Sequence, residues 1–291
     1  MYFEHQFIAE SFHCRNNYAD LYDLDKILTK DYLPPGRKTK YADFEIRFNR
    51  WAMRYNSHLT EAILLKRVLR FLGEIVLPNR QKLMIRCPNI GEMYGCDILG
   101  TKIWYSNAVG YHCLPTWELV EADGGFLVSI NPELMKPLVI EAIKKNTIIE
   151  LPSYNIMHAG GQFDQFRSQF ILLEKDQQQC YMGIEQVILI GDHGVGLYPS
   201  SAGDGIENLN ALIQARAEGH RAMLFYCVMH TGISYIKTQV DSDSIYFTLL
   251  QQAIAAGVEM VAYRVTINFE NIEITTQIPV LPAQLVKSKS E

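Results

Sequence analysis

Between Lys66 and Ser106 the chain advances in short apolar segments, Val68 to Val76, Lys82 to Arg86 and Lys102 to Ser106, cut by Pro78-Asn79, Pro88-Asn89 and glycines. Segments this short, ended by turn formers, leave no room for helices and have the spacing of a small antiparallel barrel. Asn131-Pro132 then supplies a cap and a first-turn proline for ELMKPLVIEAIKKN, a helical pattern perturbed by Pro137. Beyond it, strand and helix patterns alternate. The change of rhythm between Glu121 and Asn131 therefore divides the chain into two differently built lobes. The expected organisation is an N-terminal extension over 1–65, a barrel over 66–125 and an α/β domain over 126–291.

In the second lobe the patterns predict strands at Gln169–Leu173, Cys180–Ile190, Ala222–His230 and Glu259–Asn268, and helices at Ile206–Ala217 and Ser244–Ala256. Gly219 and Gly257 follow the two helices where a left-handed cap belongs. Strand, strand, helix, strand, helix, strand describes a mixed α/β sheet covered by helices.

Ahead of the barrel, Phe44, Phe48, Trp51, Ala52 and Tyr55 recur at helical spacing, with Arg47, Arg50 and Arg54 on another face. Aromatic burial beside arginine charge suits a phosphate grip or a membrane surface. A docking helix that buries its aromatic stripe on its own domain explains the same pattern with fewer assumptions, and a further alternative makes the extension a contact for a protein partner or a second copy.

The chain has 291 residues, 48% of them hydrophobic and 20% charged, enough for packed cores. A formal net charge of −5 excludes a molecule that attracts phosphate over its whole surface. A nucleic-acid face must therefore be local, and Lys66, Arg67, Arg70, Arg80, Lys82, Arg86 and Lys102, with Tyr94, Trp104 and Tyr105 interleaved, mark where. Arg67, Arg70, Arg86, Asn89, Lys102 and Trp104 are the candidate binding residues, although Asn89 also suits the turn after Pro88. The six cysteines form no C-x-x-C, the start MYFEHQ has no secretory pattern, and no apolar stretch approaches membrane-spanning length. A reduced, cytoplasmic protein without a membrane anchor is expected.

Several anchors together resemble the sugar fermentation stimulation protein A family from Arg67 to about Pro282. They are Arg70-Phe71, Cys87-Pro88-Asn89 with Gly91 and Met93, Gly95-Cys96, Gly100, Trp104 and Thr116-Trp117-Glu118-Leu119. Further along come Cys180-Tyr181, Tyr198-Pro199, Glu218-Gly219-His220-Arg221-Ala222 and Gly257-Val258-Glu259. The resemblance implies an OB-like barrel that binds DNA, followed by a restriction-endonuclease-like domain that hydrolyses phosphodiesters with a divalent metal. The extension before Glu61 lies outside the family's usual extent.

Such hydrolysis needs anionic oxygens around the metal and a cation beside the attacking water. The family supplies them from an R-x-D-F strand and an I-E-V-K strand. Here Arg167-Ser168-Gln169-Phe170 puts Gln169 where the resemblance expects Asp, while Met182-Gly183-Ile184-Glu185 puts Gly183 in place of Glu and Glu185 in place of Lys. The following acidic and arginine element becomes Tyr198-Pro199-Ser200-Ser201 and Ala202-Gly203-Asp204-Gly205. The expectation is a nuclease scaffold without catalytic residues, metal or cofactor. The alternative is a nuclease using Mg²⁺ or Mn²⁺ through acids displaced to Asp164, Glu174, Glu185, Asp192 or Asp204, with Glu185 and Asp192 the leading pair.

Three weaker patterns complete the survey. Gly191 to Gly196 has the glycines of a phosphate loop but no following Lys-Ser/Thr. Asp192-His193 with Ser153 or Ser200 lacks a nucleophile elbow. Cys87, Cys96, His112 and Cys113 match no zinc knuckle and suit a packed barrel interior.

Overall fold

The computed structural model describes residues 53–55, 57–93, 95–108, 114–157, 170–198, 203–237 and 245–281. The first strand, β1 (Met53–Arg54), precedes the barrel strands β2 (Thr60–Val68), β3 (Leu72–Val76), β4 (Lys82–Arg86), β5 (Lys102–Ser106), β6 (Thr116–Ala122) and β7 (Phe126–Ser129). β2, β3 and β4 form a meander, β5 returns to β2 through Thr60↔Tyr105 to Ile63↔Lys102, and β6 pairs with β5. A single parallel pairing, Arg86↔Thr116, joins β4 to β6 and closes the circuit β2-β3-β4-β6-β5-β2. One pair of residues brings the two ends of the sheet together and leaves the barrel partly open along β4.

The segment read as one strand from Val68 to Val76 is instead a hairpin. Leu69 and Arg70 turn the chain with φ of 51° and 65°, so β2 ends at Val68 after beginning at Thr60. Neither residue is among the usual formers of a left-handed turn, which is why the sequence carries no signal for the reversal.

The second lobe contributes α1 (Met135–Lys144), β8 (Asn155–Met157), β9 (Phe170–Lys175), β10 (Gln178–Val187), β11 (Leu189–Ile190), β12 (Val195–Leu197) and α2 (Gly203–Ala217). It continues with β13 (Arg221–Val228), β14 (Tyr235–Lys237), α3 (Ile245–Ala255), β15 (Glu259–Ile267), β16 (Asn271–Ile278) and β17 (Val280–Leu281). Seven strands form the main sheet in the order β1-β16-β15-β13-β10-β9-β8, parallel through β15, β13 and β10 and antiparallel at both flanks. The expected mixed α/β architecture is present. β16 went unread because the Asn268–Asn271 turn separates it from β15, although Ile272, Ile274 and Ile278 follow the alternation of a strand.

Two apolar clusters organise these elements. One runs from Leu64, Ile85 and Trp117 inside the barrel to Met182, Phe225 and Tyr263 on the α1 side of the sheet. The other packs Tyr181, Leu224 and Tyr226 beneath Leu212 of α2 and Leu250 of α3. Alternation along β10 decides this division, sending Cys180, Met182 and Ile184 to the first cluster and Tyr181 and Val187 to the second. The lobes are also stitched by backbone: the Ser129 amide donates to the Met229 carbonyl at 2.9 Å, and Val128 bridges His230.

β1 corrects the end of the helix expected over Phe44 to Tyr55. Met53 and Arg54 pair antiparallel with Ile272 and Asn271 at the sheet edge, and Tyr55 is buried behind them. Phe44, Arg47, Phe48, Arg50, Trp51 and Ala52 lie outside the described residues. No helix among the described residues is long and apolar enough to cross a membrane.

Candidate functional site

β10 carries the two positions that bear on metal chemistry. Two residues apart on a strand, Gly183 and Glu185 share the face toward α2. A Cβ at Gly183 would sit in ordinary contact with the Phe170 ring at 3.4 Å and Leu212 at 3.5 Å, so two apolar side chains line the space beside the strand. Glu185 is buried, with the Tyr198 hydroxyl donating to its Oε2 at 2.5 Å and the Asn208 amide donating to its Oε1. Tyr198 stacks at ring distances of 5.9 Å from Tyr226 and 5.3 Å from Tyr246. Burial, then the neighbouring phenols and Glu185, push the Tyr246 hydroxyl well above its ordinary pKa. The result is a closed, aromatic-walled pocket around one carboxylate.

Gln169 and Asp164 lie outside the described residues, and the Asp204 side chain is not among those described. Asp192 is exposed in a short turn and Glu174 is half-buried on β9. Among the described residues no group of three or more His, Cys, Asp or Glu side chains is arranged to hold a metal ion. Cys87 and Cys96 are buried free thiols, while His112 and Cys113 lie outside the described residues. Burial pushes the Cys96 thiol up to about 12, so it is held as a neutral, unreactive group.

The candidate nucleic-acid residues divide sharply. Arg67 faces inward: its guanidinium donates to the carbonyls of Arg70 (3.1 Å), Asn89 (2.7 Å) and Gly91 (2.8 Å) and reaches Asp97 at 3.3 Å. Asn89 is buried and accepts from the Gly91 amide at 2.9 Å, the turn role foreseen for it. Trp104 is buried too, packed on Phe269 at 4.9 Å between ring centres. All three side chains are engaged within the chain, and residue type alone does not reveal which way a strand or loop turns them. Arg86 forms a two-point ion pair with Glu133 at 2.5 and 2.9 Å and contacts Thr116. Arg70 and Lys102 remain on the surface, paired with Glu92 at 3.1 Å and Glu121 at 3.7 Å.

Acids thus accompany the barrel's cations throughout. Lys66 and Lys82 sit 3.3 and 3.1 Å from the two oxygens of Glu74, and hydrogen bonding to Lys82 leads in holding that carboxyl below its ordinary range. From 66 to 125 there are seven Lys and Arg against six Asp and Glu, so the expected concentration of positive charge is largely neutralised.

Two features, at Gln186 and His230, had no signal in the sequence, and a third, Glu118, stood there only within the Thr116-Trp117-Glu118-Leu119 run. Gln186, on the opposite face of β10 from Glu185, donates to the Ser129 carbonyl at 3.2 Å and accepts from the Asn89 amide at 3.3 Å, so it touches both the barrel and the loop after β4. His230 is 1% exposed at the lobe junction, accepts from the Gly232 amide at 3.0 Å, and burial holds its pKa down to about 4. Glu118, on β6, is buried between Ser106 at 2.7 Å and Asn131 at 2.8 Å, and burial raises its pKa.

Comparison with known proteins follows the same segments. A family model described as "Sugar fermentation stimulation protein RE domain" matches residues 133–271. A sugar fermentation stimulation protein homolog of Marinomonas sp. (strain MWYL1) is 32% identical over 251 residues, 84% of this chain and 96% of its own length. Another, of Teredinibacter turnerae, is 32% identical over 232 residues, 79% of this chain and 100% of its own length. The structure of Pyrococcus furiosus SfsA in complex with Ca²⁺ has the same fold, with a TM-score of 0.69 at 21% identity over 79% of this chain and 98% of that one.

Proposed function

The chain belongs to the sugar fermentation stimulation protein family, and from that premise we propose that its barrel lobe binds nucleic acid while its α/β lobe serves as a scaffold without metal-dependent cleavage. The observation that carries this reading is the setting of Gly183 and Glu185. Hard dications such as Mg²⁺ and Ca²⁺ require several oxygen ligands with room to converge. Gly183 has no side-chain oxygen, the space beside it holds Phe170 and Leu212, and both oxygens of Glu185 receive hydrogen bonds inside a wall of tyrosines. These residues do not fit a divalent cation, and no hydrolytic step is derived through one.

For the barrel, the OB-like strand circuit and the exposed cations Lys66, Arg80, Lys82 and Lys102 support a backbone-tracking surface. With Glu74 and Glu121 among them, binding is expected to be modest and strongly weakened by salt.

The test is a titration of Ca²⁺ and Mn²⁺ by calorimetry, run beside nicking assays on supercoiled DNA. Neither binding nor nicking is expected. The Pyrococcus furiosus relative, solved with Ca²⁺, is the positive control for metal binding. Metal binding that disappears in Glu185→Gln or Asp192→Asn would overturn the scaffold reading in favour of displaced ligands. Single-stranded oligonucleotides titrated over a salt series test the barrel, and no binding at low salt would reject that part.

A further inference from the structure

The long loop between β4 and β5 is apolar on both sides. Its inner side is the ordinary one: Cys87, Met93 and Cys96 are buried, with the Cys87 thiol directed at the Asn89 carbonyl and at Met93. Its outer side is not. Ile90 is 66% exposed, Ile98 50% and Leu99 66%, and Leu69 on the neighbouring hairpin turn is 60% exposed. Four of the large exposed aliphatics therefore belong to one hairpin turn and one loop.

Arg67 brings them together. Its guanidinium bonds Asn89 and Gly91, which flank Ile90, Asp97, which precedes Ile98, and Arg70, which follows Leu69. Three apolar side chains are thus each one residue away from an atom held by the same buried cation. The Gly100 amide donates to the Leu64 carbonyl at 2.8 Å and the Thr101 amide to the Ile98 carbonyl at 3.3 Å, so the end of the loop carrying Leu99 is pinned as well. An apolar patch held rigid before contact loses little conformational freedom on binding, and clustered exposed aliphatics on a folded surface mark an interface.

The charge at its rim selects the occupant. Beside the patch, among the described residues, stand an exposed cation, Arg70, and an exposed anion, Glu92, which pair with each other at 3.1 Å, while the partly exposed Asp97 is taken up by Arg67. A phosphate backbone would meet Glu92 as a like charge. A surface with one charge of each sign beside a shared apolar centre is complementary to itself under two-fold rotation. We propose that this face, with Leu69, Ile90, Ile98 and Leu99 at its centre, joins two copies of the chain in an isologous dimer in which Arg70 of each copy pairs with Glu92 of the other. An exposed ion pair contributes little within one chain, so exchanging it across the interface costs little.

Sedimentation equilibrium of the full chain over a range of concentrations tests this. The wild type is expected to dimerise, and Ile90→Asp and Leu99→Asp to shift it to monomer while circular dichroism and melting temperature stay unchanged, since both side chains are exposed. Arg70→Glu and Glu92→Arg alone should each weaken association by at least about tenfold through like-charge contact. Mixing those two variants should restore the dimer, because each then meets the opposite charge on its partner. A wild type monomeric at every concentration, whether its patch is covered by another segment of the chain or by a different partner, overturns the proposal. So does a dimer that survives both aspartate substitutions, or one that mixing fails to restore.

Discussion

Among the described residues each lobe buries one carboxylate, and the two are handled alike although they stand at opposite kinds of position. Glu118 in the barrel belongs to the Thr116-Trp117-Glu118-Leu119 run that relates this chain to its family. Glu185 in the sheet stands where the family places a lysine. Both are held by two neutral donors, Ser106 and Asn131 in one case and Tyr198 and Asn208 in the other. A buried carboxyl is tolerated when its oxygens are met by hydrogen bonds. The sheet lobe thus treats a position where the resemblance expects a catalytic group as the barrel treats Glu118. The difference lies around them: Glu118 faces Tyr55 and lies within the field of Arg86 and Glu133, whereas Glu185 accepts from the Tyr198 phenol and the Asn208 amide, with the Tyr226 and Tyr246 rings beyond Tyr198.

The harshest way to break this parallel is Glu185→Lys. An ammonium in place of the carboxylate turns the Tyr198 hydroxyl and the Asn208 amide, both donors, against it, and unfolding in urea should show a loss of about 4 kcal/mol. A loss below about 1 kcal/mol would mean that the pocket still accommodates the family's charge. Next comes Arg67→Ala, which strips hydrogen bonds from three carbonyls and Asp97 and is expected to cost about 3 kcal/mol. Arg67→Lys should recover little of it, because a point charge cannot replace a planar fork. If Arg67 instead served the surface, stability would hold and only nucleic-acid affinity would fall.

His230 sharpens the comparison from the junction. Its folded pKa of about 4 lies below the ordinary 6.5, so its contribution is fully present above pH 6.5 and is lost as pH falls toward 4. Between pH 7 and 5 this should remove about 2 kcal/mol, measured as a shift in the urea midpoint. His230→Asn, which keeps an acceptor for the Gly232 amide, should flatten that dependence. The smallest effect belongs to Glu118→Gln, expected within about 1 kcal/mol of the wild type. Burial raises the Glu118 pKa, so the wild type gains relative to the variant at low pH and loses as pH rises through that value. A variant that weakens as pH rises would show that Glu118 is stabilised as an anion instead.

How much of this was legible in the sequence depends on the kind of interaction. Spacing alone located the barrel and placed α2 and α3 to within a few residues, since both follow from local periodicity. The shared face of Gly183 and Glu185 was legible for the same reason. The tyrosine wall was not, because Tyr198, Tyr226 and Tyr246 come from three elements joined only by the fold. Arg67 and Trp104 looked like surface readers because their residue types suit that work. Their burial follows from the Leu69-Arg70 reversal and from Phe269 packing, neither of which has a local signature.

The apolar interior that runs unbroken from Leu64 and Trp117 to Phe225 and Tyr263 carries a consequence for how this chain can change over time. Deleting either half would strip the other of one wall and leave it sticky and misassembled. The sheet is therefore retained as a condition of the barrel's solubility, whether or not any reaction still takes place on it. Substitutions that keep that shared interior filled leave both halves folded, and one that opens a cavity in it disturbs barrel and sheet together.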